Sequence, residues 1–153
     1  MDAKEALSRA AAYCSRQERC IADVERKLQD WEVEQKEFGA IIEWLVDEKF
    51  IDEERFTSFY VRDKFKFNGW GKVKIRWSLK QKNISGTALE NALNTIDNNV
   101  YAEKLQKLLE GKLKQLKEKD PYKTKASLIR FAQSRGFEAD IVYPLVEKLI
   151  QNI

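Results

Sequence analysis

Residues 50–84 read FIDEERFTSFYVRDKFKFNGWGKVKIRWSLKQKNI. The stretch opens on an acidic turn, Asp52-Glu53-Glu54, followed by Arg55. Asp52 suits a helix N-cap, and Glu53 and Glu54 suit the positive end of a helix dipole. Phe56, Phe59 and Tyr60 then fall at helical spacing, with Phe67 two turns further on. Gly69 and Gly71, around Trp70, can end this helix and turn the chain. A second apolar seam, Ile75 and Leu79, leads to Asn83, which tolerates the left-handed conformation that closes a helix. Ser85 can cap the helix that follows. The unit is therefore helix, loop, helix, turn, helix.

The pattern of this stretch recurs on both sides of it. Val24, Ile75 and Leu128 serve as starting marks. Four residues on stand Leu28, Leu79 and Ala132, and nine on stand Val33, Ile84 and Phe137. From Val33, Ile84 and Phe137, steps of five, nine and twelve lead to Phe38, Ile42 and Leu45 in one copy, Leu89, Leu93 and Ile96 in the next, and Val142, Val146 and Leu149 in the last. One apolar template fits three times at a period of roughly fifty residues, the mark of a repeat architecture. Each copy has a helix ahead of it, near 3–15, 53–67 and 100–119. Leu7, Ala10, Ala11 and Cys14 line one face of the first of these. Asp120-Pro121 should break the third, Thr124 can cap its successor, and Gly136 can end that one. Pro144 falls inside the last predicted helix, where it frees a carbonyl.

Sustained period-two alternation bounded by turn residues is absent, so no strands are expected. The predicted fold is all-α: three tandem three-helix repeats, residues 1–51, 52–98 and 99–153, forming an elongated, curved solenoid. Each unit carries a small core. Burying one Leu or Phe contributes roughly 1.5–3 kcal/mol, whereas ordering a residue costs about 1–2 kcal/mol of backbone entropy alone. Units this small should lean on their neighbours.

Composition narrows the function classes. The 153 residues carry 28 Lys and Arg against 25 Asp and Glu, a net charge of +3. That total is too mild to make nucleic-acid binding the default. Its distribution matters more, because positive charge collects in the middle and between Lys104 and Lys125. The sequence has no histidine, which excludes the common Ser-His-Asp and Cys-His catalytic arrangements. Gly69-Trp70-Gly71-Lys72 is too short for a phosphate-binding loop and lacks the Ser or Thr after its Lys. Cys14 and Cys20 match no zinc spacing and read as reduced thiols. Neither a signal-peptide core nor eighteen consecutive apolar residues occurs. The expectation is a soluble cytoplasmic monomer, not an enzyme, with no catalytic residues, metal, cofactor or membrane contact.

The basic residues of the middle stretch are the binding candidates: Arg62, Lys64, Lys66, Lys72, Lys74, Arg76, Lys80 and Lys82, with Trp70. Lys72, Arg76 and Lys80 recur every four residues and make one stripe beside the Ile75–Leu79 seam. Two readings stand side by side. The stripe is a solvated surface, or it meets phosphate or an acidic protein groove. Trp70 either anchors an interface or stacks on a base, or it caps the seam between units.

Phe50-Ile51-Asp52-Glu53-Glu54-Arg55-Phe56 resembles a motif of the RecX family of bacterial regulatory proteins. The basic stretch followed by Gly69, Gly71, Ile75, Leu79, Lys82 and Ile84 is similar to that family's next motif. Upstream, Arg16, Val24, Lys27 and Leu28 match its first-copy pattern, so the resemblance covers the whole chain. Cys20 stands where the family commonly has a Ser cap, Asn83 where it has Gly, and Lys72 where it often has Pro. Lys64-Phe65-Lys66-Phe67 replaces an arginine run. The resemblance implies three tandem three-helix units and a modulator of the RecA recombinase. Such a protein binds RecA filaments on DNA and limits strand exchange and ATP hydrolysis. The alternatives are a direct DNA-binding module of helix-turn-helix type, weak and sequence-independent, or a helical-repeat adaptor for another partner.

Overall fold

Five of the six template positions are buried in every copy, the exceptions being Ile42, Ile96 and Leu149, each half-buried. The repeated pattern is thus a core pattern. The computed structural model describes residues 1–152. Its elements run α1 (Ala3–Arg16), α2 (Ile21–Asp30), α3 (Phe38–Asp47), α4 (Glu53–Lys66), α5 (Lys72–Gln81), α6 (Thr87–Asn94), α7 (Asn98–Gln115), α8 (Pro121–Ser134) and α9 (Ala139–Gln151). A single 3₁₀ turn, Gln35–Glu37, leads into α3. The fold is all-α. The helices pack in three successive triplets, α1–α3, α4–α6 and α7–α9.

Most of the punctuation lies where the residue types place it. The Asp52 carboxylate accepts from the Arg55 N–H at 3.0 Å and caps α4. Gly69, Asn83 and Gly136 take φ of 68°, 62° and 91°, the left-handed region that ends helices. Pro144 lies inside α9, where it lacks the N–H that would reach the carbonyl of Asp140.

Four expectations are corrected. α7 ends at Gln115, short of 119, because Leu116 turns extended at ψ 132°. The α6 cap is Gly86 rather than Ser85, with φ 79°, a conformation that a serine at position 86 would adopt only with strain. Asp120 caps α8 with Pro121 at its first position, while Thr124 is buried within the helix and donates to the Asp120 carbonyl at 3.0 Å. Along α4 the buried side chains are Phe56, Thr57, Val61 and Phe65, whereas Phe59 and Phe67 are 43% and 75% exposed. The i, i+4 step from Thr57 through Val61 to Phe65 sets the buried face, and Phe59 and Phe67 lie off it.

Among the described residues the cores number two rather than three. The first triplet closes its own around Ala6, Ala10, Val24, Leu28, Ile41 and Leu45. The second and third triplets share one continuous core, which also takes in Cys20 at the start of α2. Tyr101 of α7 is its bridge. It is 2% exposed, and its ring lies 5.7 Å from Phe65 and 5.1 Å from Phe137, centroid to centroid. Its hydroxyl donates to the Glu138 carboxylate and accepts the Lys72 backbone N–H at 2.9 Å.

Candidate interaction surface

The basic residues of α4 and α5 occupy several different environments. Arg76 is paired: its Nε and Nη2 each reach a carboxylate oxygen of Glu90 at 3.0 Å. That pairing raises the Arg76 pKa and holds the Glu90 carboxyl below its usual range. Lys82 lies 2.6 Å from Asp23 of α2. Lys72 extends its ammonium 4.9 Å from the centre of the Tyr101 ring. Lys74 and Lys64 stand 4.6 and 5.3 Å from the Trp70 ring, both within cation–π range. Lys66 approaches Phe67 at 5.5 Å. Arg62 and Lys80 are exposed. The stripe Lys72–Arg76–Lys80 therefore offers solvent one exposed cation, Lys80, beside a partly covered Lys72 and a paired Arg76.

Trp70 is half-buried and packs against the shared core. Its ring is a lid on the seam, with two lysine ammonium groups within cation–π range of it. Trp77 is the more exposed indole, at 64%, with Val73 one turn earlier at 47%. Sequence reasoning passed over it. Two residues beyond Ile75, it lies about 200° around the helix from the seam, a placement readable from helical geometry.

The acidic turn divides its members between two helices. Asp52 caps α4. Glu53 turns back and accepts the Ile21 N–H at 3.1 Å, capping α2 of the first triplet. Burial pushes the Glu53 carboxyl up, and that N–H opposes the shift. Arg55 reaches both carboxylate oxygens of Glu18, at 2.8 and 2.6 Å, and donates to the Lys49 carbonyl at 3.1 Å. Glu54 is exposed and Phe56 enters the shared core. Asp23 completes the junction. Its carboxylate accepts the Cys20 N–H at 3.3 Å and the Lys82 ammonium. Burial would raise its pKa, but these two donors outweigh burial and hold it below the usual range.

The Gly-Trp-Gly loop serves the junction on the other side. Gly71 N–H donates to the Arg135 carbonyl at 2.7 Å and Val73 N–H to the Gly136 carbonyl at 2.9 Å. The positive end of α5 thus meets the last carbonyls of α8, head to tail. The Arg135 guanidinium also donates to the Asn68 carbonyl at 3.0 Å. With Lys72 N–H on the Tyr101 hydroxyl, the N–H groups of residues 71–73 are all engaged within the protein.

This two-sided architecture matches known proteins. Residues 52–93 match the family model described as RecX, second three-helix domain, and residues 99–146 that for RecX, third three-helix domain. The chain belongs to the RecX family. It is 33% identical to the regulatory protein RecX of Clostridium tetani over 119 residues, 76% of this chain and 54% of that protein. With the regulatory protein RecX of Clostridium perfringens it shares 30% identity over 128 residues, 82% of this chain and 59% of that one. The chain spans about half the length of the curated relatives it matches. In fold it resembles a crystal structure of regulatory protein RecX, with TM-score 0.87 at 24% identity, over 95% of this chain and 73% of the other. It also resembles RecX from Lactobacillus salivarius, with TM-score 0.83 at 22% identity, over 99% and 97% of the two chains.

The match to the second RecX domain opens on Asp52, the residue that caps α4. Charge is graded along this RecX chain. Residues 1–51 hold eight Lys and Arg against twelve Asp and Glu, a net of −4. Residues 52–98 hold nine against six, and residues 99–153 eleven against seven, nets of +3 and +4. The mild total conceals an acidic first part and a basic remainder. No described helix is long and apolar enough to cross a membrane.

Proposed function

We propose that this chain is a non-enzymatic regulator that binds the RecA recombinase and its filament on DNA, and chiefly inhibits recombinase and ATPase activity. Membership of a family of regulatory proteins, carried by residues 52–146, is the observation behind this reading. The charge gradient supports it. A basic surface over the second and third units suits an acidic protein groove or filament DNA, and steers association. The protein acts as a cytoplasmic monomer in DNA repair and recombination. The candidate contacts are the exposed members of the basic set, Arg62, Lys66 and Lys80, with Lys64, Lys72, Lys74 and Trp70 at its edges. Arg76 and Lys82 belong to internal pairs.

The deciding experiment is RecA ATP hydrolysis on single-stranded DNA with this protein titrated in. The rate should fall in a dose-dependent way, and an unchanged rate overturns the proposal. Reversing Lys72 and Lys80 to Glu should weaken inhibition with helicity intact. Arg76 is left out of that variant because its loss also breaks the Glu90 pair.

Direct DNA reading by a helix-turn-helix is the weaker alternative. In the α5–turn–α6 pair the second helix would enter the groove. Its only charged residue is Glu90. A helix without a cation is poorly suited to a phosphate-lined groove. Duplex titration separates the two readings: a binder neutralising about six phosphates loses roughly a thousandfold in affinity between about 50 and 200 mM salt. An adaptor for another partner would leave RecA untouched and recover a different protein from a bacterial lysate.

A further inference from the structure

A cleft opens outside the stripe on α5, among the described residues. It has a volume of about 550 Å³ and runs between α4 and the link from α6 to α7. Its apolar lining comes from Val61 and Phe65 on one side and Ile96 and Val100 on the other. Arg62 and Lys66 stand along the α4 rim. Asp97 lies at the opposite rim, but its carboxylate is engaged with the Val100 N–H at 3.0 Å as the cap of α7. Val100 is 50% exposed, so apolar surface is open to solvent at the mouth.

The outer surface of α4 extends the same character. Phe59 is exposed on the helix that carries Arg62 and Lys66, and Phe67 is exposed just past its end. Aromatic side chains with Arg around a desolvated pocket are the composition of protein-binding hot spots. Nucleic acid fits less well, because the apolar part of the lining is aliphatic apart from one ring, Phe65, and that ring is buried.

We propose that this cleft is a docking site for an acidic amphipathic helix of a partner protein. The lining along α4 spans Ser58 to Lys66, about 12 Å at 1.5 Å per residue, the length of two helical turns. Apolar side chains of the partner at i and i+4 fill the space over Val61, Phe65, Ile96 and Val100. Carboxylates at i and i+4 on its flank meet Arg62 and Lys66, which share that spacing on α4. The site is separate from the paired stripe of α5 and stands whether or not the partner is the recombinase.

The test uses the full chain, isotope-labelled, titrated with a designed three-turn peptide bearing leucine at i and i+4 and glutamate at the flanking i and i+4 positions. Saturable amide shifts concentrated at residues 58–66 and 95–100 are expected. Arg62→Glu with Lys66→Glu, and separately Val100→Asp, should each weaken binding at least about tenfold. Lys80→Glu should leave it within about twofold. These side chains are exposed, and the spectrum of each variant reports whether the fold is retained. Three results overturn the proposal: no saturable shift up to millimolar peptide, shifts centred elsewhere, or displacement of the peptide from these residues by an oligo-thymidine, which would make nucleic acid the occupant.

Discussion

Gly71 and Gly136 meet backbone to backbone: a β-carbon on Gly71 would sit 2.4 Å from the Gly136 carbonyl oxygen, and one on Gly136 2.3 Å from Cβ of Lys74. The contact joins the start of α5 to the end of α8, and the Arg135 and Gly136 carbonyls bond across it. Neither side can retreat without losing hydrogen bonds that satisfy helix ends.

Gly71→Ala should therefore separate α5 from the third triplet and destabilise the protein by about 2–4 kcal/mol, combining overpacking with lost hydrogen bonds. Gly111→Ala supplies the contrast. Gly111 lies within α7 with open space around its Cα, so the alanine should stabilise by about 0.5–1 kcal/mol. Urea denaturation of the two variants reads both signs.

The Asp23–Lys82 pair makes stability at the first junction pH-dependent at both ends of the scale. Asp23 titrates below its usual value of 3.8 when folded. Its contribution is complete above the unfolded value and is lost as pH falls through the folded one. Lys82 titrates above 10.5 when folded. Its contribution is complete below that value and is lost as pH rises through the folded one. Asp23→Asn should flatten the acid limb of the stability curve and cost about 1–2 kcal/mol at neutral pH. A variant as acid-sensitive as the parent would contradict this assignment.

Glu53 caps a helix that is not its own. Glu53→Ala leaves the Ile21 N–H without its partner and should destabilise by about 1–2 kcal/mol. Glu53→Gln retains an acceptor oxygen and should recover most of the loss. Amide exchange should show the start of α2 opening in the alanine variant, although the substitution lies in α4.

Both thiols are buried. Burial pushes Cys14 up to about 11 and Cys20 up to about 12. At pH 8 neither should react appreciably with a disulfide reagent while the protein is folded, since the thiolate is the nucleophile. Denaturant should release two reactive groups together. Rapid labelling of Cys14 in the native state would show that its face of α1 opens independently.

Much of the fold was legible in the chain. A buried position must be apolar wherever the helix turns inward, and that demand leaves a periodic trace. Val24, Ile75 and Leu128, with their successors, record it three times. Asp52, Asn83 and Gly136 mark helix ends because their local chemistry is sufficient there. Ser85 and Thr124 misled for the converse reason: each could cap, but Gly86 and Asp120 were also on hand, and main-chain geometry chose between them.

The candidate surface was less legible. Composition located the basic stretch, but it could not tell a free cation from a paired one. Arg76 and Lys82 look like Lys80 in sequence, and only the positions of Glu90 and Asp23 distinguish them. Nor could spacing show that the second and third units share one core, with Tyr101 between Phe65 and Phe137. Helical periodicity is a local property, set by neighbours within a turn or two, and the chain carries it by itself. Pairing across dozens of residues depends on how helices dock, so the choice between a solvated lysine, an internal latch and an open cleft belongs to the tertiary structure.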